Sequence, residues 1–233
     1  MKSFFAKLIA VEDIAHETKF FRFALDENSR DFKFEAGQFL SAKIAPRVFR
    51  AYSFCSSREI LPHFELVIKL IPGGAGSTFF KKLQIGERIE FFAPFGRFVL
   101  PNNFENSNFV FVATGVGFAP FRSFLKKIFA QKNPPRVDLF FGFRNENFAI
   151  FLDEISALQK KFPQKFFPRI CISQPQNLNS NCGRVTKFLE NEPPRFFENK
   201  KVFLCGSRAM VESVRTILQN KKVADAQIFD EIY

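Results

Sequence analysis

From Ser3 to about Leu100, apolar and polar positions alternate in short stretches. Lys19-Phe20-Phe21-Arg22-Phe23-Ala24-Leu25 and His63-Phe64-Glu65-Leu66-Val67-Ile68-Lys69-Leu70 are examples, and Gly, Pro, Asn and Asp mark the breaks. A period of two turns one side of a strand to a core and the other to water, so the pattern predicts an antiparallel barrel or sandwich of short strands. The opening stretch from Met1 to Val11 is interrupted by Lys7 and followed by Glu12-Asp13 with no small-residue cleavage site. It reads as a first strand and not as a leader.

After the polar run Pro101-Asn102-Asn103-Phe104-Glu105-Asn106-Ser107-Asn108 the pattern changes. Phe109 to Ala113, Val137 to Phe141, Phe166 to Ile172 and Val202 to Cys205 are predicted strands. Helices are expected over Phe118 to Ala130, Leu152 to Lys160, Val185 to Glu190 and Ala209 to Gln219. Uninterrupted apolar strands separated by helices predict a parallel sheet covered on both faces. A chain of 233 residues can support two such cores. The expected organisation is a β-barrel domain over 1–103 and an α/β domain over 104–233, with the polar run as linker.

Composition removes several classes. The chain is 46% hydrophobic and 24% charged, which sets disorder aside. Its 37 Phe, against 2 Tyr and no Trp, are spread evenly, so they read as core filler in place of Leu and Val and not as a stacking surface. No apolar run reaches the roughly 18 residues a membrane helix needs, so no span is expected. Cys55, Cys171, Cys182 and Cys205 are scattered, without the spacing of a metal site, a disulfide framework or an iron–sulfur cluster. A reducing, cytoplasmic home is the expectation. His16 and His63 stand far apart without ligand-spaced companions, so no metal is expected. The net charge of +11 suits an acidic protein or a phosphate-rich cofactor, or plain solubility. With no finger, basic zipper or aromatic RNA motif, nucleic acid is not expected.

Candidate chemistry begins with Ala113-Thr114-Gly115-Val116-Gly117-Phe118-Ala119-Pro120-Phe121, between a strand end and a helix start. Glycines there let backbone N–H groups approach a pyrophosphate at a helix N-terminus, and Pro120 suits the first helical turn. The third glycine of the dinucleotide fingerprint is absent, so a tight strand-to-helix turn is the plain alternative. In the barrel half, Arg50-Ala51-Tyr52-Ser53 offers a bidentate phosphate grip, an aromatic plate and a short hydroxyl. The glycine-rich loop Gly73-Gly74-Ala75-Gly76-Ser77-Thr78 offers backbone donors to a diphosphate.

Taken in order, these motifs resemble the ferredoxin–NADP reductase superfamily from the first strand to the last residue. The resemblance implies a Greek-key flavin barrel followed by a Rossmann-like nucleotide domain. By that likeness Arg50, Ala51, Tyr52 and Ser53 are the flavin motif, with Tyr52 packed on the isoalloxazine and Ser53 near its N5. Gly74, Gly76, Ser77 and Thr78 would hold the flavin pyrophosphate. Gly86 through Gly96-Arg97-Phe98 matches the barrel's closing strand and turn. Thr114, Gly115, Gly117 and Pro120 would form the dinucleotide loop, with Arg144 of Phe141-Gly142-Phe143-Arg144 and Gly206 of Leu204-Cys205-Gly206-Ser207 in the later nucleotide motifs. Ser173 and Arg184 fall near the adenosine ribose, where Gln174 stands in the place an NADPH-using relative gives to Arg. The ending Glu231-Ile232-Tyr233 is similar to plant-type members. It implies that Tyr233 covers the flavin face and that Glu231 and Cys205 serve the reaction beside Ser53; a last strand closed by an aromatic plug is the alternative.

The implied activity is electron transfer between NADPH or NADH and a one-electron carrier, ferredoxin or flavodoxin, through FAD in preference to FMN, by a monomer. A free-flavin reductase, an oxygenase-reductase component or a subunit of a larger complex would share these motifs. A nucleotide-sensing binding protein is the alternative of another class.

Overall fold

The computed structural model describes residues 2–176 and 182–233. The chain divides into two compact units, one comprising Met1–Leu100 with Ala119–Lys127, the other Pro101–Phe118 with Ile128–Tyr233.

The first unit contains β1 (Ser3–Ala15), β2 (Thr18–Leu25), β3 (Phe39–Ala45), β4 (Val48–Ser53), β5 (His63–Lys69), α1 (Ala75–Lys82) and β6 (Arg88–Phe95). Their order in one six-stranded sheet is β4-β3-β6-β1-β2-β5, with neighbouring strands antiparallel. The edges meet through the antiparallel bridge between Phe54 and Leu66, and the N–H of Cys55 donates to the Glu65 carbonyl at 3.0 Å. Closure removes the exposed edges an open sheet would present. Phenylalanine fills the interior: Phe21, Phe23, Phe54, Phe64 and Phe91 are fully buried. Their rings meet at close range, Phe23 on Phe64 at 5.2 Å and Phe64 on Phe91 at 5.4 Å. The Phe excess is therefore core material, as the even spread implies.

The second unit carries β7 (Asn108–Thr114), β8 (Val137–Phe143), α3 (Leu152–Lys161), β9 (Phe166–Ile172), α4 (Val185–Asn191), β10 (Lys200–Gly206), α5 (Arg208–Asn220) and β11 (Ile228–Ile232). Helix α2 (Ala119–Phe129) follows β7, and most of it, through Lys127, packs with the first unit. The sheet order is β11-β10-β7-β8-β9, with parallel neighbours. From β7 the chain winds outward through β8 and β9, then returns to place β10 on the other side of β7. That reversal is a topological switch point, and it leaves a crevice at the carboxyl ends of β7 and β10. Buried Val110, Val112, Phe140, Val202 and Leu204 face helices α4 and α5 through Leu189, Val211 and Val214. Asp138 is buried on β8, where Arg136 and Lys200 both pair with it at 2.8 Å.

The helix α1 differs from expectation. Its segment was expected to be a glycine-rich loop, yet only Gly73 and Gly74 precede it and Gly76, Ser77 and Thr78 form its first turn. Phe80, buried against the barrel core, supplies the tertiary contact that lets a short, glycine-containing segment hold a helix. Among the described residues no helix is long and apolar enough to cross a membrane.

Candidate cofactor sites

On the barrel, cross-strand register sorts the β4 motif onto two faces. Arg50 pairs with Ala42 and Tyr52 with Leu40, whereas Ala51 pairs with Ser41 and Ser53 with Phe39. Arg50 and Tyr52 therefore share the side of the buried Ala42 and Leu40. Tyr52 is half-buried, its ring edge-on to Phe80 at 4.9 Å. Burial pushes its hydroxyl pKa up to about 12, with the Arg50 charge acting the other way. The Arg50 guanidinium is exposed and donates to the Phe49 carbonyl at 2.8 Å.

Helix α1 brings the second barrel motif to the same place. A Cβ at Gly76 would run into the Tyr52 hydroxyl and would lie 3.4 Å from Arg50 Cγ. Only a glycine lets the first turn of α1 lie against Arg50 and Tyr52. Gly74 is the N-cap and contributes no side-chain cap, so the first-turn N–H groups have no intrahelical acceptor. Ser77 Oγ accepts the Ile71 N–H at 2.7 Å, and Thr78 Oγ1 donates to the Gly74 carbonyl at 3.0 Å. An exposed guanidinium, a helix N-terminus with a glycine cradle and an aromatic plate fit a dinucleotide carrying a flat ring.

In the second unit, the crevice at the switch point collects the other motif. β7 ends at Thr114, Gly115 adopts φ +53°, and the 3-10 turn Gly115–Phe118 leads into α2, with Pro120 in its first turn. A Cβ at Gly117 would strike the Cys205 carbonyl oxygen and lie 2.8 Å from both the carbonyl carbon and Tyr233 Oη. Gly206 approaches the Thr114 side chain equally closely, and a Cβ at Gly142 would meet Val185 Cγ1 at 2.9 Å and Thr114 Cγ2 at 3.1 Å. Three glycines on three adjacent strands or loops thus bring Thr114, Gly117, Cys205 and Gly206 together.

Tyr233 joins the same cluster. Its hydroxyl accepts the Gly117 N–H at 2.7 Å and donates to the Thr114 carbonyl at 2.6 Å. Burial of the oxygen and the nearby Cys205 raise its pKa above the ordinary phenol value. Cys205 is 1% exposed, and Glu231 lies opposite it in the β10–β11 register. Burial first, then the charges of Glu231 and Asp230, drive its thiol well above the usual range, so it is a protonated thiol and not a thiolate.

Arg144 and Ser173 directly follow β8 and β9. Ser173 Oγ donates to the Phe143 and Arg144 carbonyls at 3.3 and 3.4 Å, and Arg144 Nε donates to Gln174 Oε1 at 2.9 Å. Arg184 is the exposed N-cap residue of α4. The site residues thus gather into two groups, Arg50, Tyr52 and Gly74 to Thr78 on the barrel, and Thr114 to Gly117, Cys205, Gly206, Glu231 and Tyr233 at the switch point. Residues 144, 173 and 184 stand at neighbouring strand ends and a helix start.

A residue pair absent from the expected site lies just beyond the Arg50–Ser53 motif. Arg122 and Glu65 are both buried and pair at 2.7 Å. Burial opposes ionisation of Glu65, but Arg122 and then Arg22 outweigh it and hold its carboxyl below the usual range. Glu65 occupies a polar place in an alternating strand, which reads as solvent-facing, and its partner is 57 positions away.

A closed barrel with a glycine cradle is followed by a parallel sheet with a crevice at its switch point. Comparison with known proteins agrees. The oxidoreductase FAD-binding domain family matches residues 5–100 and the oxidoreductase NAD-binding domain family matches residues 111–216. The chain is 28% identical to NADH-cytochrome b5 reductase 2 of Coccidioides immitis, covering 89% of this chain and 66% of that protein. It is 29% identical to the terephthalate 1,2-dioxygenase reductase component 2 of Comamonas, covering 92% of this chain and 63% of that protein. The chain therefore spans about two thirds of the length of these relatives. Among solved structures, ferredoxin-NADP+ reductase from Plasmodium falciparum superposes with a TM-score of 0.83 at 26% identity, over 98% of this chain and 95% of that one. The chain belongs to the ferredoxin–NADP reductase superfamily, with its FAD-binding and NAD-binding domains in that order.

Proposed function

We propose that the protein oxidises NADH with FAD and hands the electrons singly to an acidic protein acceptor. The observation that carries this reading is that one chain holds two glycine turns at helix starts, the Gly76 turn beside Arg50 and the Gly115–Gly117 turn at the switch point, each suited to a phosphate. FAD, when bound, supplies the chemistry that turns a hydride into single electrons. Arg50 and the first-turn N–H groups of α1 grip its diphosphate, and Tyr52, buttressed by Phe80, supports its ring. Ser53, on the other side of β4 from Arg50 and Tyr52 but at the strand's end, offers its hydroxyl to the reacting edge of the ring. Gly117 presents its N–H to the dinucleotide once Tyr233 gives it up, and the protonated Cys205 acts through contact and hydrogen bonding alone.

NADH is favoured over NADPH by the surroundings of Gln174. That position carries a neutral amide paired with Arg144, and Glu146 accepts the Gln176 N–H at 2.9 Å. The neutral amide directly after Ser173, which engages the Arg144 guanidinium, and the nearby Glu146 carboxylate disfavour an extra phosphate. The charge of +11 favours an acidic carrier such as ferredoxin, flavodoxin or a cytochrome. An oxygenase-reductase role is the second reading, supported by the likeness to the dioxygenase reductase component.

The test is an absorbance spectrum of the purified protein, followed by anaerobic addition of NADH or NADPH. Flavin bands that bleach faster with NADH, and acceptor reduction that slows steeply with salt, are expected. A colourless protein that takes up no added FAD overturns the reading.

A further inference from the structure

Two residues beyond Ser53, the flavin strand enters a buried polar knot. Arg122 of α2 donates from Nη1 to Glu65 Oε2 at 2.7 Å and to the Cys55 carbonyl at 2.8 Å. The next residue, Ser123, donates its hydroxyl to the Ser56 carbonyl at 2.6 Å. Ser56 Oγ accepts the Glu65 N–H at 3.1 Å. The other Glu65 oxygen accepts from Arg22 through Nε at 3.1 Å and Nη2 at 2.7 Å. Arg122, Ser123, Glu65, Cys55 and Ser56 are all buried, and all belong to the first unit.

Consecutive residues of α2 therefore hold the carbonyls of Cys55 and Ser56, two and three residues past Ser53. On the other side, Phe39 pairs with Ser53 and the Phe54 N–H donates to the Gln38 carbonyl at 3.0 Å. The backbone leaving Ser53 is pinned from both directions. Packing a helix on a barrel needs no buried ions, since an apolar pair of similar volume holds as well or better. What the ion pair adds is direction, because hydrogen bonds fix angles that apolar contact leaves loose.

We propose that Arg122 is a positioning residue for the flavin reaction. By fixing the Cys55 carbonyl with Glu65 as counter-ion, it fixes the angle at which Ser53 presents its hydroxyl. The inference rests on the reading that Ser53 faces FAD. It separates two tasks within one motif: affinity comes from Arg50 and the Gly74–Thr78 turn, whereas alignment comes from the knot behind Ser53. Misplacement of a reacting group by about an ångström costs on the order of 100-fold in rate with little change in binding.

The test uses Arg122→Met and the double variant Glu65→Gln with Arg122→Met, each loaded with FAD. The double variant removes the buried carboxylate's need for Arg122, so it decides the matter where the single variant fails to fold. Flavin fluorescence gives FAD affinity, the visible spectrum reports the ring's surroundings, and anaerobic mixing with NADH gives the rate of flavin reduction. FAD affinity within about threefold of wild type, an altered visible band and reduction slowed about 10- to 100-fold are expected. An unaltered spectrum and rate in the double variant overturn the proposal. A loss of FAD affinity as large as the loss of rate also overturns it, because it signals general loosening of the barrel. Wild-type protein that takes up no FAD refutes the flavin reading itself, a result distinct from either.

Discussion

The hydroxyl of Tyr233 stands 2.7 Å from the backbone nitrogen of Gly117 and accepts its N–H. That donor lies in the turn the dinucleotide is expected to use, so the phenol competes with the ligand for it. Its second bond, to the Thr114 carbonyl, keeps it there. Net hydrogen bonds are worth about 0.5–1.5 kcal/mol each. Tyr233→Phe should therefore lower the dissociation constant for the nicotinamide dinucleotide about 3- to 10-fold, measured by titration of the oxidised enzyme with NAD+. An unchanged constant would mean that the contact does not compete.

Gly117→Ala attacks the same turn differently. The added methyl meets the backbone of Cys205, which cannot swing aside as a side chain can. The expected protein stays yellow, with FAD bound as in wild type, while its reduction by NADH falls by about 100-fold or more. Equal loss of FAD would show that the two cradles are not independent.

The proposed preference for NADH can be tested at Gln174. Replacing it with Arg places a cation after Ser173, and a charge-assisted bond to phosphate is worth about 1.5–3 kcal/mol. Gln174→Arg should raise the NADPH-to-NADH ratio of kcat/KM by about 10-fold or more. A ratio that stays put would locate the discrimination elsewhere, with Arg184 next to be replaced.

Glu65 gives a pH signature. Its folded carboxyl titrates below the ordinary value of 4.5, because Arg122 and Arg22 outweigh the effect of burial. A depressed pKa contributes stability that is complete above about pH 4.5 and is lost as pH falls through the folded value. Removing one partner of a buried pair costs about 3–5 kcal/mol. Glu65→Gln should thus lower the melting temperature clearly at neutral pH, and the gap to wild type should narrow in acid. A gap that is constant with pH would refute the ionised pair.

Much of this protein is determined locally. Alternating stretches such as Lys19 to Leu25 become strands because one side must be buried, and Phe166 to Ile172 becomes β9 over the same residues that the apolar run predicts. The strand-to-helix turn after β7 is legible as well, and Gly115 adopts a positive φ there. Tertiary structure alone decided the rest. The α1 helix forms where Gly74, Gly76, Ser77 and Thr78 argue for a loop, because Phe80 is buried in the barrel core. The Arg122–Glu65 pair and the Tyr233–Gly117 bond join residues 57 and 116 positions apart. Such pairs are set by how strands close and where β10 re-enters beside β7, and neither a local period nor a motif spacing records that.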